Sequence, residues 1–253
     1  MPQQWLYVWM LVAVGLMLVQ FLVTPGYGRH TSAAWGPTLP NQLAWVLMES
    51  VALGAFWFVW WWQAPHNLTG FFGTTAQLAA LLYSVHYVHR GLIYPWRTRT
   101  QGKRMPVVIM LAAIAFNLIN GALLGGSLAS QAVVSRDAAA WPLHSVLGGL
   151  LFVGGAVVNI RADNTLLALR QGQDRGYHIP QGGLYRYISC PNFLGEILQW
   201  FGFALLCWNL PALAFAVWTA SNLVPRALAH HRWYQTQFAD YPSNRRALIP
   251  GVL

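Results

Sequence analysis

The chain has 253 residues, of which 56% are hydrophobic and 8% are charged, and its mean hydropathy is +0.41. A typical soluble domain has about 25% charged residues, so this composition excludes an ordinary soluble fold and a disordered chain. Two cysteines allow at most one disulfide, which excludes a disulfide-stapled secreted domain. The net charge of +9 would indicate nucleic acid only on a soluble module with a basic face. We therefore predict a polytopic membrane protein that binds no nucleic acid.

The predicted elements are helices that span the membrane, each of which needs about 20 apolar residues. The charge-free run 197–225 is too long for one helix, and we divide it at Asn209–Pro211 because the residue before a proline disfavours helix. The first run lacks a basic n-region, so we interpret it as a retained helix and not as a signal peptide. The sequence predicts an all-α fold, one domain over 1–253, with seven transmembrane helices at about 5–23, 41–62, 71–95, 106–129, 142–161, 192–208 and 211–230.

The basic residues predict the orientation of these helices. Fourteen of the fifteen lie in or near the segments that alternate threading places on one side, and only Arg136 falls opposite. Those segments are 24–40, 95–105, 162–191 and the C-terminal tail. Because Lys and Arg accumulate on the cytoplasmic side, we expect the N-terminus outside and the C-terminus in the cytoplasm. At the predicted outer end of the second helix we interpret four tryptophans as an interfacial belt: Trp57, Trp60, Trp61 and Trp62.

Two polar residues lie deep in predicted helices. Glu49 is near the centre of the second helix, and such a residue usually faces a cavity or a partner. Low dielectric disfavours a charged carboxylate, so a protonated Glu49 could donate a hydrogen bond. In the third helix, Tyr83 and Tyr87 share one face, as do His86 and Arg90. We expect Tyr87 to be functional.

The same spacing of four residues recurs at three further inner helix ends. Asn159 and Asp163 are expected to close the fifth helix, and Asn192 and Glu196 to open the sixth. The last helix is expected to end on three such residues: Arg226, His230 and Tyr234. Because these residues lie at the same predicted depth, we expect a shared ligand site that opens to the cytoplasm.

The inner loops add donors for an anionic ligand: Arg97, Arg99, Lys103, Arg104, Arg170, Tyr177 and Arg186. A guanidinium is a planar fork that matches phosphate oxygens. The chain has no P-loop, no Rossmann glycine fingerprint and no H-E-x-x-H, and its two cysteines lack metal-ligand spacing. We therefore expect no metal, and we expect helices and loops to bind any nucleotide. We attribute four glycines within the fifth helix to close helix packing: Gly148, Gly149, Gly154 and Gly155.

These residues carry a family resemblance over almost the whole chain. The tail contains I-P-Q-G-G-L-Y-R-Y from Ile179, then P-N-F-L-G-E-I-L-Q-W, L-P-A-L-A-F-A, R-A-L-A-H-H-R-W-Y and D-Y-P-S-N-R-R-A-L-I-P. Upstream are G-Y-G-R-H-T at 26–31, Glu49 after Ala44-Trp45, and V-H-Y-V-H-R at 85–90. The sequence resembles the steroid 5α-reductase (3-oxo-5α-steroid 4-dehydrogenase) family. Polyprenol and enoyl-CoA reductases share the tail motifs, whereas Glu49 with Tyr87 resembles the steroid branch.

The resemblance implies an integral membrane enzyme that uses NADPH to reduce the 4,5 double bond of a 3-oxo-Δ4-steroid. By the same resemblance, Glu49 and Tyr87 would hydrogen-bond the substrate ketone, and Trp45 would line the steroid pocket. Ten positions resemble the NADPH site of the family: Lys103, Asn159, Asp163, Arg170, Tyr177, Asn192, Glu196, Arg226, His230 and Tyr234. The chain departs from the family at Met48, usually Gln, and at His178, usually Arg or Lys.

Three other activities remain open on the sequence. They are a related enoyl or polyprenol reductase, a SAM-dependent methyltransferase of the isoprenylcysteine type, and a transporter with Glu49 on its path. Against the transporter, the charged cluster lies at one end of the bundle and not at the midplane. We expect a steroid or sterol-like lipid substrate, contact with membrane lipids, and no required protein partner. The expected location is a bacterial inner membrane, or the ER membrane if the source is eukaryotic.

Overall fold

The structure is a computed structural model that describes residues 3–23, 35–63, 74–98, 102–134, 141–169 and 176–253. The motif at 26–31 and Arg170, both singled out in the sequence, lie outside these residues. The same is true of Arg99 and of the opposite-side Arg136.

The described chain is mostly helical. The α-helices are α1 (Gln3–Leu22), α2 (Asn41–Gln63), α3 (Thr75–Tyr87), α4 (Tyr94–Arg97), α5 (Val107–Val134), α6 (Leu143–Leu169), α7 (Pro191–Cys207) and α8 (Leu210–Gln237). A π-helical segment, Val88–Ile93, joins α3 directly to α4, and a short 3₁₀ helix covers Gly183–Arg186. A capping box starts α3: Thr74 Oγ1 accepts from the Gln77 backbone N–H at 3.2 Å, and Gln77 Oε1 accepts from that of Thr74 at 3.1 Å.

Among the residues that the structure describes, four helices are long and apolar enough to cross a membrane: Gln3–Leu22, Asn41–Gln63, Val107–Val133 and Leu143–Leu169. They correspond to the predicted first, second, fourth and fifth spans. Helical structure also occupies the predicted third, sixth and seventh positions. Seven spans and the orientation of the termini remain predictions.

Two details of the predicted helices are wrong. The fifth helix continues to Leu169 and does not end near residue 161, because Arg, Ala and Leu favour helix even where hydropathy falls. Asn159 and Asp163 therefore lie inside α6 and not at its end. The belt of four tryptophans is also wrong for Trp60, which is 1% exposed and stacks on Phe56, whereas Trp61 and Trp62 are exposed.

The chain divides into two compact units. The first unit contains Met1–Thr24, Leu147–Leu205 and Leu213–Leu253, and the second contains Pro25–Val146 and Leu206–Ala212. The first thus includes α1, most of α6, α7 and α8, and the C-terminal tail. The second includes α2, α3, the π-helical segment, α4 and α5. The single domain over 1–253 stays a prediction.

In the second unit, glycines bring α5 into backbone contact with α2. A methyl group at Gly121 would lie 2.6 Å from the Ala52 carbonyl oxygen, and one at Gly125 would meet the Phe56 backbone. Asn117 donates its side-chain N–H to the Met48 carbonyl oxygen at 2.7 Å. The backbone of α2 next to Glu49 is therefore held by a buried hydrogen bond from α5.

A small antiparallel sheet precedes α2 and α5. Strand β1 (Thr38–Pro40) pairs with β2 (Arg104–Pro106), and Arg104 donates from Nε to Thr38 Oγ1 at 2.7 Å. The all-α prediction missed these strands because three residues are too short to show an alternating pattern.

In the first unit, α6 and α7 pack through glycines on both helices. A methyl group at Gly155 would lie 2.6 Å from the Gly195 carbonyl oxygen, and one at Gly202 would lie 2.8 Å from the Gly148 carbonyl oxygen. The predicted packing role is thus confirmed for Gly155, and the carbonyl oxygen of Gly148 lies at the same helix contact. It is wrong for Gly149 and Gly154, which have no atom within 4 Å of an added methyl group.

This asymmetry predicts opposite effects for two adjacent substitutions. Gly155→Ala should lower the free energy of unfolding by about 1–3 kcal/mol, because the methyl group overpacks the α6–α7 contact. Gly154→Ala is the matched control and should be neutral or raise stability by up to about 1 kcal/mol, since alanine favours helix. Thermal unfolding of both variants in detergent measures the difference. Equal midpoints would contradict the close approach of these two helices.

Candidate active site

A stripe on α2 carries the predicted substrate residues, Trp45 and Glu49. Trp45 donates its indole N–H to the Arg90 carbonyl oxygen at 3.1 Å. The Arg90 guanidinium lies 4.9 Å from the Trp45 ring centroid and 4.8 Å from that of Tyr94, which is the geometry of a cation–π contact. Trp45 is thus held against the π-helical segment that contains Arg90, and it precedes Glu49 on α2 by one turn.

The π-helical segment places Gly91 against Glu49. A methyl group at Gly91 would lie 3.1 Å from Glu49 Cβ and 3.7 Å from the Glu49 backbone carbon. In this segment the Tyr94 backbone N–H donates to the His89 carbonyl oxygen, five residues back. Such π-bulges occur frequently at functional sites. The sequence analysis missed this feature, because a single π-helical turn within an α-helix cannot be told from an α-helical turn by hydrophobic periodicity.

Tyr83 links the two predicted catalytic residues. It is fully buried and donates its hydroxyl to the Ala52 carbonyl oxygen at 3.3 Å. Its side chain also hydrogen-bonds Tyr87 and interacts electrostatically with Glu49. The Tyr83 and Tyr87 ring centroids are 4.6 Å apart, so the predicted shared face is confirmed. Tyr83 therefore contacts Tyr87 directly and lies within electrostatic range of Glu49.

The contact at Gly91 predicts an effect on turnover. Gly91→Ala should displace the Glu49 side chain by a few tenths of an ångström, since a methyl group at 3.1 Å is closer than ordinary contact. Misplacement by about 1 Å can cost about 100-fold in rate, so we expect a loss of about 10-fold in kcat. Gly54→Ala is the control, because it lies on α2 with nothing within 4 Å of the added methyl group. Steady-state kinetics of both variants test this, and equal kcat values would remove Gly91 from the site.

A second group of predicted residues forms a hydrogen-bonded network between α6 and α7. Asn159 donates its side-chain N–H to the Asn192 carbonyl oxygen at 2.9 Å. Asn192 donates its own side-chain N–H to Asp163 Oδ1 at 3.1 Å. Asn159 and Asp163 are buried, whereas Asn192 and Glu196, one turn further along α7, are half-buried. Asn159 and Asp163 of α6 thus bond to Asn192 of α7, whereas a ligand site at this place stays a prediction.

On α8, Arg226 and His230 surround one aromatic ring. The Arg226 guanidinium lies 5.7 Å from the centroid of Phe193, and the His230 ring lies 5.4 Å from it. Phe193 follows Asn192 directly in α7. The start of α7 thus contacts the predicted ligand residues of α8 through this ring.

Tyr177 and Tyr234 belong to an aromatic cluster at the end of α8. Trp233 packs edge-on against both, at centroid distances of 4.9 Å from Tyr177 and 5.2 Å from Tyr234. Tyr234 is 3% exposed and stacks on Tyr241 of the tail at 5.4 Å and 11°. Tyr177 is 44% exposed.

Lys103 is the one described residue of the predicted cofactor set that belongs to the second unit. It lies beside β2 in the second unit, is exposed, and its backbone carbonyl accepts from the Asn41 backbone N–H at 3.0 Å. The other described residues predicted for a cofactor lie in the first unit. The contacts among the predicted residues therefore lie in α6, α7 and α8, and the shared ligand site stays a prediction.

The sequence analysis missed two buried polar groups near the tail. Arg245 is 3% exposed and donates to the Pro180 carbonyl oxygen at 3.0 Å and to Gln181 Oε1 at 2.8 Å. Ser189 Oγ lies 2.6 Å from both His231 Nδ1 and the Tyr241 hydroxyl. No local pattern reveals these contacts, because the partners are 42 to 65 residues apart in sequence.

Burial changes the pKa values of two groups beyond the predicted last span. It raises the pKa of Tyr241 above its ordinary value, although the hydrogen bond and the charge of Arg245 act in the opposite direction. Burial also lowers the pKa of His231, and the nearby charge of Arg246 lowers it further. Both side chains are therefore neutral at neutral pH.

The fold and these sites define a class: a helical protein with apolar, membrane-length helices that carry buried polar clusters. The family described as 3-oxo-5-alpha-steroid 4-dehydrogenase matches residues 103–253. Steroid 5-alpha-reductase DET2 of Solanum lycopersicum is 40% identical over 241 residues, which cover 92% of this chain and 90% of that protein. 3-oxo-5-alpha-steroid 4-dehydrogenase 2 of Homo sapiens is 39% identical over 246 residues, covering 96% and 93%.

The chain belongs to the 3-oxo-5-alpha-steroid 4-dehydrogenase family. It is therefore an oxidoreductase that acts on a CH–CH bond. The resemblance stated from the sequence motifs is confirmed.

Proposed function

We propose that the protein reduces the 4,5 double bond of 3-oxo-Δ4-steroids to give 5α-steroids, with NADPH as the reductant. The observation that carries this proposal is the buried hydroxyl of Tyr83, which hydrogen-bonds Tyr87 and interacts electrostatically with Glu49. Relatives of nearly the same length are named steroid 5-alpha-reductases and 3-oxo-5-alpha-steroid 4-dehydrogenases, which supports the same substrate class.

In this proposal, Glu49 and Tyr87 polarise the substrate ketone. Hydride addition to the β-carbon of an enone leaves negative charge on the ketone oxygen, and donors held at that oxygen stabilise the transition state. A protonated Glu49 and the Tyr87 phenol each supply one O–H. Trp45, held by the Arg90 carbonyl, is proposed to line the steroid pocket one turn away.

Tyr83 is suited to support the Tyr87 donor. In the structure it donates to the Ala52 carbonyl oxygen, so its hydrogen bond with Tyr87 uses the Tyr87 proton. When a ketone oxygen accepts that proton, Tyr83 can redirect its own proton to the Tyr87 oxygen. Each hydrogen bond in such a chain strengthens the next, which makes Tyr87 a better donor.

The residues of α6, α7 and α8 fit NADPH by their chemistry. NADPH offers phosphate oxygens, ribose hydroxyls and a carboxamide, and it supplies the hydride when bound. Arg226 provides a guanidinium fork for an anion, whereas Asp163, Asn159 and Asn192 provide acceptors and donors in an already connected network. His230, Glu196, Tyr177 and Tyr234 are proposed to complete the site. Lys103 and Arg170 are included on the family resemblance alone.

We also propose the topology predicted from the charges, with seven spans, the N-terminus outside and the C-terminus in the cytoplasm. The four apolar helices support a membrane location, which is a bacterial inner membrane or the ER membrane. A membrane location suits the substrate class, because steroids partition into lipid.

One assay distinguishes the proposed steroid reduction from the alternative activities. The protein purified in detergent is mixed with NADPH deuterated at the transferred position and with testosterone, progesterone, an enoyl thioester or a polyprenol. We expect NADPH oxidation with the two steroids only, and a 5α product that carries deuterium at C5.

Other outcomes would overturn the proposal in distinct ways. Oxidation with the thioester or the polyprenol alone would assign the chain to a related reductase. No oxidation with any of the four, together with methyl transfer from S-adenosylmethionine, would favour a methyltransferase. A 5β product would contradict the stereochemistry.

A further inference from the structure

The hydroxyl of Ser189 joins three parts of the first unit. Its Oγ lies 2.6 Å from His231 Nδ1 on α8, 2.6 Å from the Tyr241 hydroxyl in the tail, and 3.1 Å from the Arg246 carbonyl oxygen. Ser189 itself lies in the segment just before α7. None of these residues belongs to the predicted substrate or cofactor sets.

One arrangement of protons satisfies every contact of this group. Gln235 donates its side-chain N–H to His231 Nε2 at 3.0 Å, which leaves the single proton of a neutral imidazole on Nδ1. His231 Nδ1 and the Tyr241 hydroxyl then both donate to Ser189 Oγ. Ser189 donates its own proton to the Arg246 carbonyl oxygen. We call Ser189, His231 and Tyr241 the Ser189 hub.

Backbone hydrogen bonds attach the tail to the same place. The Ser189 backbone N–H donates to the Arg246 carbonyl oxygen at 2.8 Å, and the Arg246 N–H donates to the Tyr187 carbonyl oxygen at 2.9 Å. The Cys190 N–H donates to the Ala247 carbonyl oxygen at 3.1 Å. The segment that leads into α7 is therefore held by the tail as well as by α8.

The hub lies next to proposed cofactor residues on both helices. Ser189 precedes Asn192 by three residues, and His231 follows His230 directly. Tyr241 stacks face to face on Tyr234 at 5.4 Å. A shift at Ser189 would therefore change the position of α7 relative to the ligand-bearing face of α8.

We propose that the Ser189 hub is a positioning device that sets the affinity for NADPH by fixing the start of α7 against the Arg226–His230–Tyr234 face of α8. This inference rests on the proposed function. Ser189 is 4% exposed, so it acts through its neighbours and does not touch the ligand.

Two substitutions and their combination test the hub. Ser189→Ala removes the central acceptor, whereas Tyr241→Phe removes one donor and keeps the ring stacked on Tyr234. Thr236→Ala is the matched control, because it also loses a hydroxyl hydrogen bond on α8, at an exposed site. The dissociation constant of NADPH is measured by energy transfer from tryptophan to nicotinamide in the full chain, with kcat measured at saturating NADPH.

We expect Ser189→Ala to weaken NADPH binding by roughly 5–30-fold, the factor in an equilibrium constant that corresponds to about 1–2 kcal/mol, with kcat retained. Tyr241→Phe should weaken it less, and the double variant should match Ser189→Ala, because both changes act on one hub. Thr236→Ala should bind as the wild type does. If Ser189→Ala does not fold, the NADPH dissociation constant of Tyr241→Phe alone tests the inference.

Three outcomes would overturn the inference. If the wild type binds and oxidises NADPH but Ser189→Ala and Tyr241→Phe bind it equally well, the hub is wrong and the proposed function stands. If the losses of NADPH affinity in the two single variants add fully in the double variant, Ser189 and Tyr241 act separately and do not form a hub. If the wild type binds no NADPH, the proposed function fails and the inference fails with it.

Discussion

Glu49→Gln is expected to lower kcat by about 100-fold and Glu49→Ala by about 1000-fold, the range found when one donor to a developing oxyanion is removed. Glutamine keeps an N–H donor of similar reach but is a weaker acid than a protonated carboxyl, so it should retain part of the effect. NADPH affinity should be unchanged, because the role proposed for Glu49 is to donate a hydrogen bond to the ketone oxygen and not to hold the cofactor. Steady-state kinetics with testosterone, combined with direct measurement of NADPH binding, separate the two effects.

Ser50→Ala is the control for Glu49, since Ser50 is the next residue on α2 and is exposed. It should retain both kcat and NADPH affinity. A Glu49→Ala variant that loses NADPH binding but keeps its rate at saturating cofactor would contradict the role proposed for this carboxyl. Tyr87→Phe, which removes the second proposed donor, should resemble Glu49→Gln in kinetics.

The positions of the helices were predictable because hydropathy is a property of consecutive residues. The predicted first, second and fourth spans differ from α1, α2 and α5 by five residues or fewer at each end. The error at the end of α6 has a physical reason: Arg161 and Asp163 reduce hydropathy without ending a helix. Hydropathy marks where an apolar run stops, whereas helix propensity decides where the helix stops.

The network of Asn159, Asp163 and Asn192 was predictable for a related reason. Residues four apart share a helix face, and repeated polar pairs on apolar helices need partners in a low-dielectric environment. Spacing could identify those faces but not the bonds, such as Asn192 to Asp163. That choice depends on how closely two helices approach, which Gly155 and Gly195 determine here.

The features that were not predictable depend on tertiary contacts. The π-helical segment changes the helical periodicity at Gly91, so that the backbone of Gly91 packs against Glu49. The Ser189 hub joins residues that are 42 and 52 positions apart. In both cases no local sequence motif marks the feature. It arises from contacts between segments that are distant in sequence and that folding brings together.

Arg226→Ala should weaken NADPH binding by about 10–100-fold, and this is the largest effect expected in the first unit. A hydrogen bond to a charged group contributes about 1.5–3 kcal/mol, and every 1.4 kcal/mol is a factor of about ten in affinity. Arg226→Lys should give an intermediate value, because lysine keeps the charge but lacks the planar fork. Binding measured by energy transfer in detergent, with kcat at saturating NADPH nearly retained, would support the assignment.

Arg232 provides the matched control for Arg226, since it lies on the same helix six residues later and is exposed. Arg232→Ala removes the same charge from α8, so a nonspecific electrostatic effect of the basic helix would appear in both variants. A specific contact at Arg226 would appear in Arg226→Ala alone and would persist at high salt, because salt screens distant surface charges more than it weakens a direct ion pair. Equal losses in the two variants would remove Arg226 from the proposed cofactor site and leave the candidates on α6 and α7, which include the Asp163 network.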